Sequence, residues 1–480
     1  MRTRSDEAAA ASGTPGARIA LPALVVAVGL VSGAIGTGFP HPVLFSDELV
    51  FSGAAERLAG AEGPAPAGGS FGYGVAYPGL LAPLYARGGD PAGGHELAKL
   101  LNALLLAAAV VPAYLLARRV ARRRFALVAA ALGAVLPTLV LAALVTAESL
   151  AYLVFLLAVL AAVRAMERPS LGRQIVAALA CVGSFETRRQ ALALFVAVPA
   201  AVLLVAFAER SGRRDGGAAL RVRQLLALPA LLAVVAAAGV LWSVARGDGG
   251  GGSLGAYEPL ASGYDVSEVV WWLRTHTVAA IVMFGVIPAL VLPFVARRLL
   301  VGGSTVGARA VAALTVTMTV TLLVMMSAFA STPFGLERVH ERYLLYAAPL
   351  VFALFASWLE RGGASRVGTL LTGSVAAVLA ATLPSDLGSS WVDAPAMLTL
   401  GFPAERVGTV AALSGFTVLL ALLPGRGVSS RPSPLQRCWW RSTPGSSTGS
   451  ATRAQRWRVS TAAARRHRRP GSTKPPAARG

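Results

Sequence analysis

Residues 19–39 read IALPALVVAVGLVSGAIGTGF and contain no charged side chain. An apolar run of this length crosses a hydrocarbon core of roughly 30 Å when it is helical. Similar runs recur as far as residue 424, and they are continuously apolar rather than alternating as in the strands of a membrane barrel. The sequence therefore predicts a bundle of membrane-spanning helices.

The composition indicates the same class over most of the chain. Of the 480 residues, 55% are hydrophobic and 14% are charged, whereas roughly 25% are charged in an ordinary soluble domain. We predict an all-α, polytopic transmembrane bundle of about 12 spans (about 11–13), with a helical first external loop. The predicted spans are 19–39, 96–117, 124–137, 149–164, 172–186, 190–208, 224–244, 277–296, 309–330, 343–359, 367–384 and 407–424.

The charges of the connecting segments predict the orientation. Basic residues predominate in the N-terminal segment and after the even-numbered spans, whereas acids predominate in the other connections. Because cytoplasmic loops carry an excess of Lys and Arg, we predict a multi-pass protein of the bacterial inner membrane with a cytoplasmic N-terminus. The preference for Arg over Lys, and for Val and Ala over Ile, indicates a GC-rich bacterial genome.

Three segments follow from these patterns. Residues 1–18 form a cytoplasmic segment, residues 19–424 form the membrane domain, and residues 425–480 form a basic tail without Asp or Glu. The tail, rich in Arg, Ser, Pro, Gly and Ala, has three interpretations. It is a disordered segment, an arm that binds anionic membrane lipids at about 1 kcal/mol per basic residue, or the product of a frameshift in GC-rich DNA.

The first external loop carries adjacent acids, Asp47 and Glu48, at the start of an acidic amphipathic stretch that ends at Leu58. A short apolar stretch, 77–85, follows later in the loop. One carboxylate of such a pair can accept a proton from an attacking hydroxyl while the other holds a metal or positions the acceptor. An ordinary solvated acidic pair is the alternative.

Arg188 and Arg189 lie at the outer end of the fifth span, on the side where positive charge is scarce. The guanidinium fork suits phosphate, and the pairing is strong where water is excluded. Arginines that reach from the span to lipid headgroups are the alternative, and Glu186 could neutralise one of them.

Two further positions on the outer side are candidates. Glu148 opens the fourth span, where the helix dipole favours an acid without any function. Arg342 precedes the tenth span and follows Glu337 and Arg338, so an ion-pair ladder explains it as readily as a contact with phosphate or sugar. We keep both interpretations for each position.

Signatures of nucleotide and metal sites are missing from the sequence. No His, Cys and carboxylate spacing resembles a zinc site, and neither the Walker nor the dinucleotide glycine pattern occurs. We therefore predict no protein metal site and no certain cofactor, with a divalent cation as an option, and no nucleic-acid partner.

The order of several short motifs resembles the integral-membrane glycosyltransferases of the C superfamily. The nearest branch contains the protein O-mannosyltransferases, the aminoarabinose transferase of lipid A and actinobacterial relatives. The resemblance covers roughly residues 18–360. Its motifs are SDEL at 46–49, YGVAYPGL at 73–80, KLLNALL at 99–105, PAYLLARR at 112–119, LP at 136–137, TAE at 146–148, TRRQ at 187–190 and ERY at 341–343.

The resemblance implies transfer of a hexosyl or pentosyl group from a polyprenyl-phosphate donor to an envelope glycan, lipid or protein acceptor on the outer face. It assigns Asp47 as the base and Glu48 as its partner. Arg188, Arg189 and Arg342 would bind the donor phosphate. Tyr77 would line the donor groove, although Gly79 stands where relatives have a second proline.

A secondary transporter or a flippase for lipid-linked sugars is the alternative function. Transporters usually have repeated halves and functional charges near mid-membrane. Here no repeat is visible, and the polar candidates lie at one face. These features favour the transferase.

Overall fold

A computed structural model describes residues 15–39, 46–61, 74–88, 90–135, 138–212, 217–245, 264–362, 366–382, 393–394 and 414–415. Every regular element in these ranges is helical. The α-helices are α1 (Pro15–Thr37), α2 (Ser46–Leu58), α3 (Ala76–Arg87), α4 (Pro91–Ala117), α5 (Arg123–Val135), α6 (Glu148–Glu167), α7 (Leu171–Thr187), α8 (Leu192–Gly212), α9 (Gly217–Leu225), α10 (Ala227–Ala245), α11 (Val266–Phe284), α12 (Val286–Val301), α13 (Val306–Ala330), α14 (Ala348–Arg361) and α15 (Arg366–Ala381). Short 3₁₀ helices cover Thr138–Ala143, Arg189–Ala191, Pro333–Gly335 and Glu341–Ala347.

Seven helices in the described residues are long and apolar enough to cross a membrane, and the count is eight if one bent pair forms a single span. They are Ile19–Thr37, Pro91–Ala117, Glu148–Glu167, Arg189–Arg210, Arg221–Trp242, Val306–Ala330 and Glu341–Arg361. Each of them coincides with a predicted span. The chain is thus a multi-pass, all-helical membrane protein, as predicted.

Of the other predicted spans, three match shorter helices that are not counted among these seven, and one is bent. The third, fifth and eleventh correspond to α5, α7 and α15, which have 13, 17 and 16 residues. The eighth, 277–296, is not one helix, because α11 and α12 meet at an angle of 102°. Gly285 joins them at φ 82, a left-handed conformation that glycine adopts without steric cost. The twelfth, 407–424, and the tail lie outside the described residues, apart from positions 414–415.

α4 is the central element of the bundle. It packs against α1, α5, α6 and α14, and α13 packs against α6, α8, α11 and α12. The contacts are dominated by Ala, Val and Leu side chains that are completely buried. Small side chains let helices approach closely in lipid, where dispersion rather than the hydrophobic effect drives their association. These contacts fix the relative positions of the helix ends.

α2 and α3 cover one end of the bundle, so the predicted helical first loop is confirmed. They pack against each other and α3 packs against α4, around a small apolar cluster that includes Phe51, Leu81 and Ala98. The segment entering α3 touches the end of α7 so closely that a Cβ at Gly74 would lie 1.7 Å from the Glu186 carbonyl oxygen. Only glycine fits there, and the contact brings the loop beside Arg188.

Candidate active site

The first turn of α2 presents Asp47 and Glu48, where the partial positive charge of the helix N-terminus favours acids. Both residues are buried. The solvated acidic pair considered above is therefore not what the structure contains. The two side chains contact different partners.

Asp47 reaches two arginines that come from distant parts of the chain. Its Oδ2 lies 3.4 Å from Nη2 of Arg188 and 3.6 Å from Nη1 of Arg342. Glu148 contacts the same two cations, with Oε1 at 2.8 Å from Arg188 Nη2 and 3.4 Å from Arg342 Nη1. Four sequence candidates thus converge in one buried ion cluster.

The two carboxylates of this cluster differ in accessibility. The side chain of Asp47 is 12% exposed and that of Glu148 is 1% exposed. Glu148 is the first residue of α6, and its side chain is enclosed between the guanidinium groups. Asp47 is therefore the carboxylate better placed to meet a molecule entering from outside, and Glu148 is better placed to orient the arginines.

Asp393 is a member of this cluster that the sequence did not indicate. Its Oδ1 lies 3.1 Å from Nε of Arg342, its Oδ2 lies 3.7 Å from Nη1 of Arg338, and its carbonyl accepts the Arg342 N–H at 2.9 Å. Asp393 is one of three acids in the connection between the last two predicted spans, and no motif surrounds it. Arg342 is held on one side by Asp393 and on the other by Asp47 and Glu148.

Glu48 ties α2 to the chain segment that leads into α6. It accepts the Val145 N–H at 2.8 Å, and its Oε1 lies 3.8 Å from Nε2 of His95 in α4. Lys99, one turn further along α4, is buried as well and donates to the carbonyl of Phe39 at the end of α1. Glu48 is therefore a supporting residue, because it fixes the chain segment that precedes Glu148.

Tyr77 supports the same region from the other side. Its ring packs edge-on against Phe51 at 5.5 Å, and its hydroxyl donates to Oδ1 of Asn102 at 2.9 Å. Asn102 in turn donates to the carbonyl of Leu144 at 2.7 Å. Burial raises the pKa of Tyr77 well above its usual range. Tyr77 is thus a neutral, completely buried anchor for the first loop.

A pair of histidines holds the chain that enters the Arg342 turn. His340 donates its backbone N–H to Nε2 of His276 at 3.1 Å. Because that nitrogen accepts, the ring proton is on Nδ1, which lies 3.0 Å from the Trp272 carbonyl. The pair fixes the backbone immediately before the 3₁₀ helix that carries Arg342.

Arg189 pairs with residues outside this ion cluster. Its Nη1 is 3.1 Å from Oε1 of Glu186, one turn earlier, and its guanidinium stacks on Phe185 at 4.5 Å. Of the two adjacent arginines, Glu186 therefore neutralises Arg189. Of the adjacent arginines, Arg188 is the one that contacts Asp47.

The cluster combines two buried guanidinium groups with one partly accessible carboxylate. Buried arginines are suited to bind phosphate in a bidentate manner, and a carboxylate beside them can accept a proton from a hydroxyl. Among the described residues, no group of three or more His, Cys, Asp and Glu side chains is arranged to hold a metal ion. The arrangement therefore combines groups that can bind a phosphate with a group that can accept a proton.

No protein-family model matches the chain, and no characterised protein is significantly similar to it in sequence. Among solved structures, ArnT from Cupriavidus metallidurans bound to undecaprenyl phosphate is similar at 17% identity and a TM-score of 0.46, over 84% of this chain and 76% of that protein. The apo state of the same ArnT is similar at 16% identity and a TM-score of 0.45, over 83% of this chain and 74% of that protein.

The archaeal oligosaccharyltransferase AglB from Archaeoglobus fulgidus, in complex with an inhibitory peptide and a dolichol-phosphate, is similar at 14% identity and a TM-score of 0.44. That match covers 85% of this chain and 56% of AglB. At these TM-scores the likeness decides neither fold nor function. The case for a function therefore rests on the side chains of this chain.

Proposed function

We propose that the chain is a glycosyltransferase that moves a sugar from a polyprenyl-phosphate donor to an acceptor on the outer face of the bacterial inner membrane. The observation that carries the proposal is the position of Asp47, whose Oδ2 lies 3.4 Å from Arg188 and 3.6 Å from Arg342. A base beside two phosphate-binding groups is what this reaction requires. The transferred group is a hexosyl or pentosyl sugar, and the acceptor is an envelope glycan, a lipid or a protein.

In the proposed step, the acceptor hydroxyl transfers its proton to Asp47 as its oxygen forms a bond to the anomeric carbon of the donor. The bond between that carbon and the phosphate oxygen breaks, and its electron pair leaves with the polyprenyl phosphate. Arg188 and Arg342 stabilise the charge that develops on the phosphate. Their preorganised position in a site with little water makes that stabilisation strong.

Entry of the donor phosphate replaces part of the existing ion pairing. Arg188 and Arg342 each contact both Asp47 and Glu148. We propose that phosphate oxygens take the place of Asp47 on the guanidinium groups. Asp47 then turns to the acceptor, while Glu148 and Asp393 keep the guanidinium planes in place. Glu48 and Tyr77 act as positioning residues behind this site, and Arg189 is a secondary candidate for phosphate contact.

The membrane arrangement belongs to the same proposal. Residues 19–424 form the catalytic membrane domain, the N-terminus is cytoplasmic, and residues 425–480 are a basic tail outside the catalytic part. The Asp47 cluster then faces the outer side, where polyprenyl-linked sugars and envelope acceptors meet.

A transporter or flippase is the second candidate, and one observation favours it. The break of 102° at Gly285 resembles the discontinuous helices that transporters use for binding. A transferase leaves labelled sugar covalently attached to an acceptor, whereas a transporter moves it across the bilayer unchanged. Following labelled sugar in vesicles that contain the purified chain separates these outcomes.

The test of the proposal is Asp47→Asn in a strain that lacks the native gene. The change keeps the size of the side chain and removes the base, so transfer falls about 10²- to 10⁴-fold while the protein still inserts. Polyprenyl-phosphate sugars and envelope glycans are measured by mass spectrometry. The donor accumulates, as it does in the deletion strain.

Asp90→Asn is the matched control, because Asp90 is an exposed N-cap of α4 whose Oδ1 accepts the Gly93 N–H at 2.6 Å. Asn is an equally good N-cap, so this variant retains transfer. Wild-type transfer by Asp47→Asn would refute the role of Asp47 as base and make Glu48 or Glu148 the next candidate.

A further inference from the structure

The end of the bundle opposite Asp47 holds a second concentration of charge. α6 has 20 residues, which is about 30 Å of helix, with Glu148 at its first position and Glu167 at its last. Beside Glu167 lies a cavity of about 690 Å³. Its lining includes five arginines, Arg118, Arg119, Arg164, Arg168 and Arg173. They come from the ends of α4 and α6 and from the start of α7.

Positive charge in this cavity exceeds negative charge. Glu167 is the carboxylate of the lining, and Arg119 holds both of its oxygens, at 3.1 and 3.3 Å. The Nη1 groups of Arg118 and Arg173 donate to backbone carbonyls, each at 3.0 Å. Arg164 and Arg168 are exposed and take part in no ion pair with a described residue. Like charges that converge without a counter-ion repel one another, and a bound anion removes that cost.

The start of α13 adds to the positive potential of the cavity. Thr305 caps this 25-residue helix by accepting the Ala308 N–H, and Thr305 and Gly307 line the cavity. Gly307 packs so closely on Glu167 that a Cβ there would lie 2.1 Å from Oε1. The helix N-terminus, with its partial positive charge, is therefore held against the arginines. The cavity is arranged for an anion with several oxygen atoms.

Exposed apolar side chains within four residues of lining residues indicate where that anion comes from. Leu171, two residues before Arg173, is 70% exposed, and Val301, four residues before Thr305, is 74% exposed. A soluble phosphate has no apolar part that could contact these side chains, whereas the acyl chains of a phospholipid would cover them. We propose that this cavity binds the phosphate headgroup of an anionic phospholipid from the adjacent leaflet. No part of this proposal depends on the glycosyltransferase reaction.

The experiment titrates the purified full-length protein, in a neutral detergent, with cardiolipin and counts bound lipid by native mass spectrometry. Arg164→Gln/Arg168→Gln weakens binding about 30-fold, which is about 2 kcal/mol, since each basic group near a lipid surface contributes about 1 kcal/mol. Dioleoylphosphatidylcholine, which has no net charge, binds the wild type and the variant equally. Inorganic pyrophosphate is the probe for a soluble source of phosphate.

Arg223→Gln/Arg297→Gln is the matched control. Both arginines are exposed and lie outside the cavity lining, and the variant loses the same charge. It retains cardiolipin affinity within about threefold. Should the first double variant fail to fold, Arg173→Gln replaces it, with an expected loss of about fivefold.

Two results support the proposal together: cardiolipin binds the wild type, and only the cavity variant loses it. Equal weakening in both double variants would reveal an effect of overall charge and would overturn the proposal. Binding of pyrophosphate without binding of cardiolipin would overturn the assignment to a lipid.

Discussion

Arg188 and Arg342, at one end of the bundle, are buried and share the carboxylates of Asp47 and Glu148. Arg164 and Arg168, at the other end, are exposed and line a cavity in which Arg119 holds the carboxylate. The same side chain thus serves different purposes. A buried guanidinium requires a partner within the protein until a ligand replaces it, whereas an exposed one is solvated by water. The comparison separates arginines that a ligand must take from protein carboxylates from arginines that a ligand meets in solvent.

The first test asks whether the Asp47 end and the Arg164 end of the bundle face different compartments. Each introduced cysteine is expected either to be labelled in whole cells or not to be labelled at all. Cysteines replacing Ser70 and Gly255, in a Cys438→Ser background, react with an impermeant thiol reagent in whole cells. A cysteine replacing Ser211 reacts only after the cells are permeabilised. The reason is the excess of basic residues on one side of the spans. Labelling of position 211 in intact cells would reverse the orientation.

The second test breaks an ion pair at each end. Arg188→Ala leaves two buried carboxylates with less counter-charge, so the free energy of unfolding falls by about 3–5 kcal/mol. Arg119→Ala breaks a pair whose side chains are 22% and 28% exposed, and costs about 1 kcal/mol or less. Unfolding of both variants is followed in increasing fractions of denaturing detergent. Equal losses would mean that burial does not distinguish the ends.

The meeting of four candidate side chains could be anticipated because position along the chain determines position in the membrane, while their roles stay predictions. Asp47, Glu148, Arg188 and Arg342 each lie at an end of an apolar run, and the topology brings such ends to one face. Their lateral contact depends on helix packing, which apolar periodicity does not encode. Asp393 was missed for this reason, because nothing in the sequence distinguishes it from the other acids of its connection as the partner of Arg342.

The break in the predicted eighth span had a visible signal. Gly285 is followed by Pro288, and a glycine with a proline three residues later is typical of a helix end followed by a new start. Hydropathy does not reveal the break, because residues 277–296 contain no acid on either side of Gly285.

An effect smaller than that of Arg188→Ala is expected behind the Asp47 end. Tyr77→Phe removes the donor to Asn102 and leaves a buried amide oxygen without it, so the unfolding free energy falls by about 1–2 kcal/mol. Tyr114→Phe is the control, because Tyr114 is half-buried in α4 and makes no side-chain hydrogen bond to a described residue. Detergent unfolding measures both variants. A larger loss in Tyr114→Phe would contradict the anchoring role of Tyr77.

The ion cluster also has a consequence for how the chain is made. Its members enter the membrane in the order Asp47, Glu148, Arg188, Arg342 and Asp393, since synthesis proceeds from the N-terminus. The early acids lie at helix ends, where water can solvate them until the arginines arrive. A chain that stops before Arg342 has only Arg188 to pair with Asp47 and Glu148, whereas in the complete cluster each of these carboxylates contacts two arginines. The cluster therefore forms only after the segment that carries Arg342 has been synthesised.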